Sequence, residues 1–135
     1  MNDIFSKLTK GMTLFPGVSE EEINIASSSI SYLFPDDYKK FFKFSNGARG
    51  IVGNNFLQIW PLENIRSYNE KFSVDLYTPG LLLFGSNGGG EGYGFDYRGK
   101  AIVVVMVPYV DLDWEYAIKK GDSFIDFLER LNLPS

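Results

Sequence analysis

The sequence predicts an α+β fold, with N-terminal helices and a C-terminal helix packed on a mostly antiparallel sheet in one domain, residues 1–135. Three observations predict it. Capped, helically periodic segments dominate the first part of the chain, apolar and alternating runs between turn residues fill positions 81–107, and an amphipathic helix closes the sequence. No internal repeat, low-complexity stretch or interdomain linker interrupts that order.

Taken in order, Asn2 or Asp3 caps a short helix carrying Ile4, Phe5 and Leu8, which Gly11 ends. Ser19 with Glu22 three residues later is a capping box, and Glu20 and Glu21 place further acids where the helix dipole favours them. Ile23, Ala26, Ile30 and Leu33 recur at helical spacing, so this helix is expected to run until Pro35. Asp36 or Asp37 starts the next one, whose Tyr38, Phe41 and Phe42 share a face, with Asn46-Gly47 as the stop. Phe56 to Trp60 alternates as a strand, and Pro61 opens a helix through Leu62 and Ile65 towards Phe72.

The second half reads as sheet. Leu81 to Ser86 is a strand, Tyr93, Phe95 and Tyr97 alternate on the next, and Arg98-Gly99 reads as a tight turn into Ala101–Val107. That last run does not alternate, which predicts a central strand covered on both faces. Gly92 and Gly94 leave bare backbone that a helix or another chain can approach closely. Asp113 to Lys119 adds a weaker strand, and Phe124, Phe127, Leu128 and Leu131 line one face of a last helix capped by Asp122 or Ser123.

Composition excludes several function classes. The chain has no cysteine and no histidine. Without them, Ser-His and Cys-His nucleophile systems and the usual zinc sites cannot be built, so we expect no catalysis and no cofactor. A net charge of −4 and a pI near 4.8 argue against a nucleic-acid partner and favour a basic protein. The longest apolar run, Ala101 to Val107, is too short to span a bilayer, so no membrane association is expected. The N-terminus lacks the pattern of a signal peptide and the missing cysteines suit a reducing compartment, which together predict a cytoplasmic protein.

Glycines at 85, 88, 89, 90 and 92 mark an unusual turn. It is not a phosphate loop, because Gly90 is followed by Glu91 and Gly92 instead of Lys and Ser/Thr. Its expected role is structural, with positive φ at one or more of Gly88 to Gly90. Glu91 with Asp96 would suit a glycosidase pair if their carboxylates lay about 5–10 Å apart. As an alternative, Asp96 is a turn residue. Asp111, Asp113, Glu115 and Asp122 imitate a calcium-loop spacing, but Tyr116 occupies its glycine position and the closing ligand is a short aspartate. The clearest candidate surface is therefore a protein-binding one. Tyr109, Asp111, Asp113, Trp114 and Glu115 combine aromatic area with carboxylates, and Glu91 is a further candidate on another loop. A buried Trp114 with solvated acids around it fits the same pattern.

The order of pieces from about position 19 to 131 resembles the SUKH superfamily, bacterial toxin-immunity proteins related to a fungal regulator of cell-wall glucan synthesis. The pieces are Ser19-Glu20-Glu21-Glu22-Ile23, Phe34-Pro35-Asp36-Asp37-Tyr38-Lys39-Lys40-Phe41, Asn46-Gly47, Trp60-Pro61-Leu62-Glu63-Asn64-Ile65, the run Phe84 to Asp96, and Ser123 to Leu128. The chain departs in Phe34, where leucine is usual, and in Gly85-Ser86-Asn87-Gly88, where many relatives carry an acid. The resemblance implies an immunity protein that neutralises a cognate polymorphic, contact-dependent toxin by stoichiometric occlusion. An acidic surface would speed capture of a basic, nuclease-like toxin. The alternative it implies is a regulatory or scaffold adaptor of the cell-wall synthesis type with no toxin partner. The oligomeric state is left open.

Overall fold

The computed structural model describes residues 2–134, opening with α1 (Asn2–Leu8) and the short strand β1 (Met12–Leu14). Ser19 caps α2 (Glu20–Ser29) as its motif predicts: its Oγ accepts the Glu22 amide at 3.1 Å, and the Glu22 carboxylate accepts the Ser19 amide at 3.4 Å. Pro35 precedes α3 (Asp36–Phe44), which is followed by β2 (Ala48–Val52) and β3 (Asn55–Ile59). After a 3-10 turn at Leu62–Asn64 come α4 (Ile65–Lys71) and α5 (Val74–Tyr77). The strands β4 (Leu81–Ser86), β5 (Glu91–Asp96) and β6 (Val103–Pro108) follow, then a 3-10 turn at Trp114–Tyr116, β7 (Ile118–Gly121) and α6 (Phe124–Asn132).

The strands form one antiparallel sheet in chain order, β1 to β7. Tyr93 and Phe95 face α3 and α6, with the Tyr93 ring 4.7 Å from Phe127 and Phe95 4.9 Å from Tyr38. Burying each such aromatic contributes roughly 1.5–3 kcal/mol. The Tyr38 hydroxyl lies in this core without a hydrogen-bond partner among the described residues, and burial pushes its pKa well above the usual value. Cross-strand register puts Leu83, Gly94 and Val105 on the opposite face, towards α4 and α5. Val104, Val105 and Val107 are all buried, which is why that run shows no alternation. Asn69 of α4 clamps the sheet beside a bulge, its Oδ1 accepting the Leu83 amide at 2.9 Å and its Nδ2 donating to the Leu83 carbonyl at 2.9 Å. Asp37 ties α3 to α6 by accepting the Ile125 amide at 3.0 Å.

Several expectations change. The second helix ends at Ser29, not before Pro35, and Leu33 is 78% exposed. Serine side chains compete for backbone groups here: Ser27 Oγ donates to the Tyr32 carbonyl at 3.4 Å and accepts the Phe34 amide at 3.4 Å. The Arg98-Gly99 turn is part of a longer loop, because pairing resumes only at Asp96 with Val103. Asp113 to Lys119 is not one strand; its first part is the 3-10 turn, and β7 starts at Ile118. The strands β1 and β2 had no clear alternation to reveal them.

Candidate functional site

The segment after β6 begins by extending the ladder, with the Tyr109 amide donating to the Gly90 carbonyl at 3.0 Å. Gly92 makes room for the Tyr109 ring, since a Cβ there would sit 2.8 Å from Tyr109 Cε1. The bare backbone is thus covered by a side chain of the same chain. The ring stacks on Phe72, the C-cap of α4, centroids 4.4 Å apart and planes 15° apart, and its hydroxyl donates to the Gly85 carbonyl at 3.3 Å. Burial is the main cause of the raised Tyr109 pKa, so the phenol stays neutral.

Beyond it, Asp111 adopts φ +58, and the buried Leu112 anchors the loop. Asp113 caps the 3-10 turn by accepting the Glu115 amide at 2.9 Å. Trp114 points away from the turn's acids, with Nε1 donating to the Pro79 carbonyl at 3.0 Å. Arg98 lies over the indole, its Cζ 3.4 Å from the ring centroid, and also grips Asp96 through Nε and Nη2 at 3.1 Å each. Burial pushes the Asp96 carboxyl up, but the Arg98 bonds outweigh it and hold the group below its ordinary value.

Phe72, Tyr77, Tyr109, Asp111, Leu112, Asp113 and Tyr116 line a groove of about 530 Å³ between the end of α5 and this segment. Tyr77 and Tyr116 are 59% and 53% exposed, and Val110 beside them is 79% exposed. Asp111, Asp113 and Glu115 form no ion pair among the described residues, in common with most of the chain's acids; Glu20, Glu70, Asp96, Asp122 and Asp126 are the paired ones. The groove wall is therefore aromatic and carries two uncompensated carboxylates.

Of the six residues singled out in the sequence, Tyr109, Asp111 and Asp113 meet in this groove and Glu115 is exposed next to it. Trp114 is half-buried and serves as a tether. Glu91 stands apart: its strand position shares the Tyr93 face, opposite the Tyr109 ring, and its carboxylate accepts Asn87 Nδ2 at 3.0 Å. Glu91 and Asp96 occupy the two ends of β5, about 17 Å apart by strand rise and on opposite faces, which is too far for a glycosidase pair. Asp122 is engaged by Lys119 and Arg130, and no group of three or more potential metal ligands converges among the described residues. Sequence reasoning missed Phe72, Tyr77 and Tyr116; Asp75-Leu76-Tyr77 repeats the acid–aromatic pattern in miniature and was the available signal.

No helix among the described residues is long and apolar enough to cross a membrane. Residues 17–130 match the model of the SMI1 / KNR4 family (SUKH-1). No curated protein matches the chain.

Proposed function

The chain belongs to the SMI1 / KNR4 family (SUKH-1), and on that premise we propose that it is an immunity protein that captures a cognate toxin through its acidic, aromatic groove. The observation that carries this reading is the juxtaposition in the groove: Asp111 and Asp113 lie among Tyr77, Tyr109 and Tyr116, with no lysine or arginine in the lining and no ion pair to either acid among the described residues. Uncompensated carboxylates next to exposed tyrosines favour a basic protein surface, and they raise the rate of encounter with one. The mechanism is occlusion. The domain needs no chemistry of its own to cover a toxin's active site or substrate groove. The absence of histidine and cysteine, and the engagement of Glu91 by Asn87 and Asp96 by Arg98, support a non-catalytic role.

Co-expression tests it. Among the domains encoded by the flanking genes, one should be lethal alone in a bacterial host, be tolerated when the chain is supplied, and co-purify with it in a one-to-one complex. Survival lost in the Asp111→Lys, Asp113→Lys variant, with an unchanged melting temperature, places the contact at the groove. Failure of the wild-type chain to bind or protect removes the immunity reading and leaves the adaptor role.

A further inference from the structure

The groove between α5 and residues 109–116 carries a more specific reading, which rests on its being the partner face. We propose that it is an arginine subsite, seating one exposed arginine of a protein partner between Tyr77 and Tyr116 with its guanidinium on Asp111 and Asp113.

The charge favours a cation. Two carboxylates line the groove, no lysine or arginine does, and neither carboxylate is in an ion pair among the described residues. The aromatic walls select the kind of cation. A planar guanidinium stacks on a tyrosine face and forks two hydrogen bonds to carboxylates, which an ammonium cannot do. The chain builds this combination for itself a short distance away: Arg98 lies 3.4 Å from the Trp114 centroid and binds both oxygens of Asp96 at 3.1 Å. The groove presents the same two components, an aromatic surface and carboxylates, with no guanidinium of this chain among its lining residues.

The backbone at Asp111 is also unusual. Among the described residues, only Ser73 and Asp111 combine a side chain with positive φ, at 53° and 58°. Asp111 lines this groove, whereas Ser73 lines a separate cavity with Ser29, Tyr32 and Asn69. The left-handed region is open to glycine and costs an L-residue roughly 1–2 kcal/mol. The Asp111 carboxylate makes no hydrogen bond or ion pair among the described residues in return. Tyr109 adds rigidity, because its stacking on Phe72 and its bond to Gly85 fix the groove floor before anything binds.

The test needs no toxin. A blocked Gly-Gly-Arg-Gly-Gly peptide is titrated into the full chain at low salt while amide and tyrosine-ring NMR signals are followed. The lysine peptide and the uncharged citrulline peptide serve as probes of charge and shape. The expected result is saturable shifts at Tyr77, Asp111, Asp113 and Tyr116 with affinity on the order of millimolar. Citrulline should bind about tenfold more weakly or not at all, and lysine should lie between them. Asp111→Asn with Asp113→Asn, which keeps a cap at 113, should lose binding about tenfold, as should Tyr116→Leu. Equal shifts from the arginine and citrulline peptides, shifts gathered elsewhere on the surface, or no shifts would overturn the proposal. The wild-type comparison decides the matter even if a variant fails to fold. A failed titration leaves the immunity reading intact, and a failed toxin capture leaves a positive titration intact.

Discussion

Residues 87–90 and residues 109–117 both connect neighbouring antiparallel strands at the same end of the sheet, and they are held by opposite means. The first loop is held from within. Asn87 Oδ1 accepts the amides of Gly89 and Glu91 at 2.8 and 3.2 Å, its Nδ2 donates to the Glu91 carboxylate at 3.0 Å, and Gly88 and Gly90 supply φ values of 75° and 96°. The second loop has one short 3-10 turn inside it and is otherwise tied to distant chain, through Tyr109 to Gly85, Trp114 to Pro79, and Arg98 across the indole. Its left-handed residue is an aspartate. A self-contained hairpin uses its polar groups on itself, so Glu91 has its carboxylate engaged by Asn87. A loop tied down by its aromatics leaves Asp111 and Glu115 for other molecules.

Breaking the tether of the second loop should have the largest effect. Trp114→Ala removes a half-buried indole, its bond to Pro79 and the Arg98 stack, and should cost about 2–3 kcal/mol by urea denaturation. A loss under about 0.5 kcal/mol would mean that the loop is not held this way. In the first loop the two left-handed glycines should differ. A Cβ at Gly88 meets the Phe56 ring at 2.8 Å, so Gly88→Val combines backbone strain with a clash and should cost about 2 kcal/mol. At Gly90 a Cβ meets nothing within 4 Å, leaving strain alone and about 1 kcal/mol. Equal costs would mean that the backbone conformation, not the Phe56 contact, sets both.

Asp111→Gly sharpens the comparison. Glycine relieves the left-handed strain but loosens the unfolded chain, so stability should stay within about 0.5 kcal/mol of wild type while toxin association slows. A clear destabilisation would assign Asp111 a structural role. The smallest effect concerns acid. The Asp96 carboxyl titrates below its ordinary value of 3.8 in the folded chain, so its pairing with Arg98 stabilises above that pH and is lost as pH falls through the lowered folded value. Asp96→Asn should therefore be slightly less stable than wild type at neutral pH, with the gap closing in melts run at progressively lower pH. A gap that persists unchanged in strong acid would point to packing instead of charge.

The same contrast explains what was legible. The glycine hairpin, the Ser19 capping box and the last helix are local devices, written in adjacent residues, and their positions could be read directly. The acidic, aromatic character of 109–115 was readable too. The groove was not, because one wall of it comes from Phe72 and Tyr77, more than thirty positions earlier, and only the sheet order brings them together. For the same reason Trp114 could not be assigned from sequence: its partner carbonyl belongs to Pro79. The second helix was read too long because periodicity at Ile30 and Leu33 says nothing about the serine bonds that turn the chain at Ser29.

The central claim is that the loop tied down by its aromatics exposes its acids to steer a basic toxin. Stopped-flow association with a toxin domain identified by the co-expression test addresses it most directly, comparing wild type with Asp113→Lys, Glu115→Lys at low and physiological salt. Association should slow about tenfold at low salt, with a smaller change in dissociation and a narrower gap as salt shortens the screening length to about 8 Å. Equal association rates at low salt, with both proteins folded, would contradict it.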